Sequence, residues 1–322
     1  MRFGVSAGSL APPGASVDDC LEVARLAEVL GFDSVWVDDH VAIPHGTVLP
    51  SSDGPEAAAG ATQDLKQLEP LVMVNALAAA TSRLEVGVRS LAAPYRHPAV
   101  VAKMLATADL FSEGRVVLGV GTGWLEAEFT ALALPPDHFA DRATVTDEYV
   151  RAIKELWTNT GPSNFAGRFV HFEDVGTYPK PWRKPHPPIV IADRGAAGMV
   201  RASRLGNGYQ VPTLSASELA TESEQLAATC RQDRRDPSEV ELQMTAVVRI
   251  SQRAIVGERL PLNGGIEQIA EDLRAYAKAG LGQLLAVPVI EGELDRTASR
   301  RAAMQLFATE LLPAFGGRNG AP

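Results

Sequence analysis

One supersecondary phrase recurs along this chain and restricts its fold more than any other feature. A helical stretch ends in a small, leucine or phenylalanine residue, a glycine follows, and an apolar strand begins within a few residues. Leu30–Gly31 precedes SVWV, Phe111–Gly114 precedes RVVLGVG, Leu205–Gly206 precedes Tyr209–Val211, and Ala279–Gly280 precedes QLLAVPVI. Glycine just past a helix end takes the left-handed cap that most residues avoid. The strands are near-continuous apolar runs, the pattern of a parallel sheet buried on both faces.

Eight strands are expected on this pattern, at 2–7, 34–39, 83–90, 115–121, 187–192, 208–212, 239–250 and 283–289, with a helix after each. The helical stripes agree. Ser16 and Asp19 resemble a capping box, and Leu21–Leu30 carries an apolar face. Pro98 opens a helix with Val101, Met104, Leu105 and Ala108 inward, and further stripes run through Val145, Tyr149, Ile153, Leu156 and through Ile266, Ile269, Leu273, Tyr276. Eight βα units without a clear split predict an α/β fold, a TIM (β/α)8 barrel spanning 1–322 as a single domain. A doubly wound open sheet is the second choice.

The chain has 322 residues, 46% of them hydrophobic, which is ample for one barrel or two smaller domains. Its net charge is −9 with the basic residues scattered, so neither nucleic acid nor an anionic membrane is an expected partner. No apolar run reaches membrane-spanning length. MRFGVSAGSL begins as a strand without a basic and then apolar leader, so no signal peptide and a cytoplasmic location are expected. Cys20 and Cys230 fall in separate predicted helices, with no CxxC and no zinc spacing.

Three stretches exceed ordinary loops, at 41–67, 125–141 and 159–186. The first is rich in Pro, Gly, Ser and Ala, and the second is expected to be irregular. The third contains FAGRFVHF, read as a hairpin turning at Ala166–Gly167, and then PKPWRKPHPP. All three are expected as insertions on the C-terminal rim, where barrel active sites form.

The most ligand-like stretch is Arg115–Trp124, RVVLGVGTGW. Its glycines, Gly119, Gly121 and Gly123, end a buried strand in bare backbone, and free N–H groups there suit a phosphate. The spacing is not that of the dinucleotide fingerprint, and no Walker loop, nucleophile elbow or HExxH occurs. A second strand, Leu84–Val88, runs into RSLAAPYRHP as the neighbouring strand end of one cofactor site.

These pieces together resemble the bacterial luciferase-like superfamily of flavin and deazaflavin oxidoreductases. The matching phrases are LGFDSVWVDDH, GVRSLAAPYRHPAVVAKMLATADLFSEGRVVLGVGTGWLEAEF and RATVTDEYVRAIKELW, followed by PKPWRKPHPPIVIA, RLGNGYQVP and IEQIAEDLRAYAKAG. DDHVAIP looks most like the branch that uses coenzyme F420. The resemblance implies a barrel holding an isoalloxazine or deazaflavin ring at its C-terminal face. It implies a bulge with a non-proline cis peptide near Arg89–Ser90 supporting the ring, and phosphate and tail contacts at Gly121, Thr122 and Gly123. The fifth-strand loop, Ala192-Asp193-Arg194-Gly195-Ala196, departs from the family's two small residues. Asp193 there would repel a phosphate, and Arg194 could compensate by pairing with one.

Each candidate residue carries two readings. His40 and Asp39 close the second strand, and the resemblance puts a histidine beside the ring, where it could transfer a proton. Alternatively the two only satisfy backbone groups at the rim. Arg89 either faces the ring or makes an ion pair with a neighbouring strand. Trp124 either walls the substrate pocket or packs the following segment onto the barrel. His97 reads as a cap. His45 has no third ligand at sensible spacing, so no metal is expected. Arg96, Arg168, Lys180, Arg183 and Lys184 either line the rim, meeting an acidic cofactor tail, or are solvated surface.

Three functions follow. The first is hydride transfer between F420 and a small organic substrate. The second is a monooxygenase using reduced FMN from a separate reductase. The third is a ligand-binding barrel without redox chemistry, kept open by Asp193. A homodimer is expected from family habit.

Overall fold

The computed structural model describes residues 1–7, 17–45, 47, 67–291 and 296–316. Eight strands form the barrel wall: β1 (Arg2–Ser6), β2 (Ser34–Val37), β3 (Glu85–Ala92), β4 (Val116–Gly121), β5 (Ile189–Ile191), β6 (Gly208–Val211), β7 (Glu241–Ile250) and β8 (Gln283–Ile290). Every neighbouring pair is parallel. The wall closes through the β6–β7 register Gly208↔Glu241 and the β8–β1 register Gln283↔Arg2. Closure removes both sheet edges and rules out the open doubly wound sheet.

The helices are α1 (Val17–Leu30), α2 (Pro70–Ala80), α3 (Pro98–Phe111), α4 (Glu126–Ala131), α5 (Pro136–Ala140), α6 (Arg142–Thr158), α7 (Ala196–Leu205), α8 (Ala216–Gln232), α9 (Ile266–Lys278) and α10 (Arg296–Glu310). Apart from α4 and α5, the helices turn apolar residues to the outer surface of the strands in one continuous core. Inside the barrel, Trp36, Val117, Val190 and Leu285 pack as a separate buried layer. This layer fills the interior and leaves ligands only the mouth.

The glycine caps behave as expected after α1 and α9, where Gly31 and Gly280 have φ of 87° and 93°. Gly206 does not, because its φ is −95°. Its requirement is space: a Cβ there would sit 3.0 Å from Ile191 Cγ1 and 3.1 Å from the Gly208 carbonyl. His97 caps α3, accepting the Ala99 N–H at 3.2 Å. The capping box at Ser16 lies outside the described residues.

Two insertions differ from expectation. The 125–141 segment is not irregular, since it contains α4 and α5. Helices this short show no amphipathic stripe by which a sequence could reveal them. The 159–186 segment is not on the C-terminal rim. It follows a helix rather than a strand, so it leaves from the N-terminal end of the barrel. Its hairpin, Ser163–Ala166 paired with His171–Val175, climbs back along α6, and the buried Glu148 carboxylate accepts the N–H groups of Arg168, Phe169 and Val170 at the turn. Beyond the hairpin, Arg183 donates to Glu85 at the start of β3. Of 41–67, only 41–45, 47 and 67 are described.

Candidate active site

The C-terminal mouth is assembled from the ends of β2, β3, β4 and β5. Its central irregularity is a bulge in β3. Val88 pairs with Leu118 and Leu91 pairs with Val120, so Arg89 and Ser90 together oppose Gly119. The Arg89–Ser90 peptide is cis, at the position the family resemblance implies.

The bulge explains the glycines of β4. A Cβ on Gly119 would lie 2.1 Å from the Val88 carbonyl oxygen, and one on Gly121 would lie 2.5 Å from Ser90 Oγ. A neighbouring backbone at Gly119 and the Ser90 side chain at Gly121 leave no room for a Cβ at either position. Thr122 and Gly123 follow at the open end of the strand, half-buried, and Gly123 has a φ of 75°.

The two residues that close β2 separate in role. Asp39 is buried, and its carboxylate accepts from both Nη1 and Nη2 of Arg96 at 2.8 Å and from the Ala92 N–H at 2.9 Å. Burial raises its pKa despite the guanidinium. Asp39 therefore ties the segment after β2 to the last residue of β3. Of its two readings, the satisfaction of rim groups is the one the geometry matches.

His40 lies one residue further and faces another partner. Its Nδ1 sits 2.9 Å from Oε2 of Glu128, which also accepts the Tyr95 hydroxyl at 3.1 Å. Oε1 of the same carboxylate accepts the Ala42 N–H at 3.0 Å and the Val41 N–H. Glu128 is completely buried on α4. Burial opposes a charge on His40, but the Glu128 bond, with Asp39 and Asp38 nearby, raises its pKa on balance. Burial likewise opposes charge on Glu128, and the His40, Ala42 and Val41 donors outweigh it and lower its pKa.

Arg89 takes the ion-pair reading. Its Nε donates to Asp38 Oδ1 at 2.9 Å, with Nη2 at 2.5 Å from the same oxygen. Trp124 is 53% exposed and meets the His40 ring edge-on, with centroids 6.0 Å apart. It stands at the mouth beside the histidine, while packing of the following segment falls to Phe129, Phe139 and Leu132.

In the fifth-strand loop, Asp193 pairs with Arg201, which also binds Asp147. Asp193 shares the buried Arg201 guanidinium with Asp147, so the pairing offsets only part of the negative charge that a phosphate would meet. Arg194 is exposed and lies 3.7 Å from Glu222. Ala192 and Gly195 are half-buried, Ala196 is exposed, and nothing lies within 4 Å of a Cβ built on Gly195. The Gly195 N–H is held by the Tyr209 hydroxyl at 3.1 Å. Gly195 opens α7, whose first N–H groups lack intrahelical partners and suit an anion.

The basic residues read as either rim or surface divide, with Arg168 and Lys184 exposed at the surface. Arg96 is committed to Asp39 and Glu69 beneath the mouth, and Arg168 to Asp141 beside α6. Lys180 and Arg183 bind Leu156 and Glu85 near the opposite end of the barrel, and Lys184 binds Pro181 in the same segment. Glu128 and Tyr95 are site residues that sequence reading missed. The signal for Glu128 was its place four residues beyond Trp124, on a helix too short to recognise. Among the described residues no group of three or more histidine, cysteine or acidic side chains could hold a metal. No described helix is long and apolar enough to cross a membrane.

The chain is 38% identical over 143 residues to an FMNH(2)-dependent dimethylsulfone monooxygenase of Pseudomonas putida, a match covering 44% of this chain and 39% of that one. It is 33% identical over 205 residues to an F420-dependent glucose-6-phosphate dehydrogenase of Amycolatopsis mediterranei, covering 63% and 56%. The matched stretches thus span roughly four to six tenths of these relatives. An F420-dependent secondary alcohol dehydrogenase, solved with an F420–acetone adduct, shares the fold at a TM-score of 0.76 and 20% identity, covering 98% of each chain. The model of the luciferase-like monooxygenase family matches residues 1–307, and the chain belongs to that family of oxidoreductases.

Proposed function

We propose that this protein transfers a hydride between coenzyme F420 and a small organic substrate at the C-terminal mouth. The observation that carries the reading is His40, held at the mouth by a buried carboxylate beside the β3 bulge. The donors present suit a deazaflavin. Arg89 and Ser90 offer a shelf for the ring, with Gly121, Thr122 and Gly123 beside it. The open start of α7, with Ala192, Arg194, Gly195 and Ala196, offers backbone donors for a phosphate, and Arg201 offsets part of the Asp193 charge. When bound, F420 supplies two-electron hydride chemistry. His40 holds or accepts the accompanying proton, Trp124 borders the substrate, and Asp39 acts through Arg96 and Ala92 to hold the strand ends together.

The match to the F420-dependent relative extends over more of this chain, 63%, than the 44% matched by the FMNH(2)-dependent one. The higher identity to the latter, over a shorter stretch, favours a second reading: a monooxygenase supplied with reduced FMN by a separate reductase. An anaerobic titration with F420 and FMN, each oxidised and reduced, followed by tryptophan quenching, separates the two. F420 preferred at micromolar affinity is the expected result. Preference for reduced FMN transfers the assignment to oxygen chemistry, and binding of neither overturns both readings.

A further inference from the structure

We infer that Glu128 is a positioning residue that holds His40 through Nδ1 and leaves Nε2 as the atom that exchanges a proton at the mouth. This rests on the proposed redox role of the site, but the geometry behind it is separate from the choice of cofactor. Glu128 receives four donors on two oxygens: His40 and Tyr95 on Oε2, and the amides of Val41 and Ala42 on Oε1. A buried carboxylate with that many donors stays ionised, so it accepts and does not donate. His40 Nδ1 must then carry the proton, which fixes the neutral tautomer. The bonds to Val41 and Ala42 pin the backbone beyond His40, so ring and main chain are fixed by one group. Edge-on contact with Trp124 borders the ring on another side.

The groups bearing on the histidine's charge come from three elements. Asp38 and Asp39 extend from β2, Glu128 lies on α4, and Tyr95 lies on the turn after β3. Arg89 and Arg96 already pair with the two aspartates. Glu128 hydrogen-bonds the ring through Nδ1. Its saturation makes it an anchor rather than a proton relay, since a proton on Oε2 would displace a donor.

The test is a 15N and 13C NMR titration of the His40 imidazole in the full-length protein without cofactor. The wild type is expected to titrate above the ordinary histidine value and to show an Nδ1–H tautomer when neutral. Glu128→Gln keeps the shape but removes the charge, and should lower the His40 pKa by about one unit or more. Glu126→Gln, on the same helix but away from the ring, should leave it in place. Where activity is measurable, the pH limb of kcat should move with the NMR pKa while the F420 Kd stays within about threefold, a split that a purely structural staple would not produce. An Nε2–H tautomer in the wild type, or an unmoved pKa in Glu128→Gln, overturns the inference. The wild-type tautomer needs no variant, so misfolding of a mutant cannot mask the result. A raised His40 pKa in a protein that binds neither F420 nor FMN in the fluorescence titration would count against the proposed function alone.

Discussion

The two ends of the barrel are both rich in charge, yet they are organised differently. At the N-terminal end, Arg2 bridges Glu85 and Glu241 from three strands, and Arg183 adds a further contact to Glu85. These groups remain partly exposed, and water shares their solvation. At the C-terminal end, Asp39 and Glu128 are completely buried as side chains; Asp39 takes its donors from the end of β3 and the turn after it, and Glu128 from the segments after β2 and β3. One end is a hydrated ion-pair network that closes the barrel. The other is a set of desolvated anchors that hold strand ends in a defined arrangement with the His40 ring at the mouth. Burial, more than the number of charges, separates a structural end from a chemical one.

The largest expected effect comes from exchanging the same cation for an apolar residue at each end. Arg96→Met leaves Asp39 buried without its partner and should cost about 3–5 kcal/mol, read from the urea midpoint. Arg2→Met should cost only about 1 kcal/mol, because its side chain is 39% exposed. Equal losses at the two ends would break the contrast.

Gly119→Ala probes the close approach at the bulge. Its methyl would collide with the Val88 carbonyl, so a loss of about 1–3 kcal/mol is expected, together with weakened cofactor binding in the fluorescence titration. Unchanged stability would mean that the bulge relaxes freely.

The smallest effect is in the pH dependence of stability. The His40 pKa is raised from 6.5, so its contribution is complete below that value and fades as pH rises through the higher folded pKa. The Glu128 pKa is lowered from 4.5, so its contribution is complete above that value and fades as pH falls through the lower folded pKa. The pair should therefore stabilise most between pH 4.5 and 6.5. The Tm gap between wild type and Glu128→Gln should be widest in that window and narrow on both sides. A constant gap would show that the two groups are not coupled.

The barrel was legible because its signals are local and repeated. Each strand is an apolar run and each helix of ordinary length carries a stripe, so the eight strands fall within a few residues of where periodicity puts them. Helices α4 and α5 escaped because five or six residues do not complete a stripe. The 159–186 segment was misplaced because composition alone does not say from which end of the barrel a loop departs.

The sequence by itself determined the βα rhythm, the family, and the stretches whose ends form the mouth, since these depend on near neighbours and on residue type. Only the tertiary structure decided what those ends do. Glu128 meets His40 across 88 positions and Asp39 meets Arg96 across 57, and no local pattern records either pairing. The same holds for Gly119, whose need for a bare backbone comes from the carbonyl of another strand rather than from its own turn. Burial and long-range pairing assign a charged residue its role, and both exist only once the strands have closed around them.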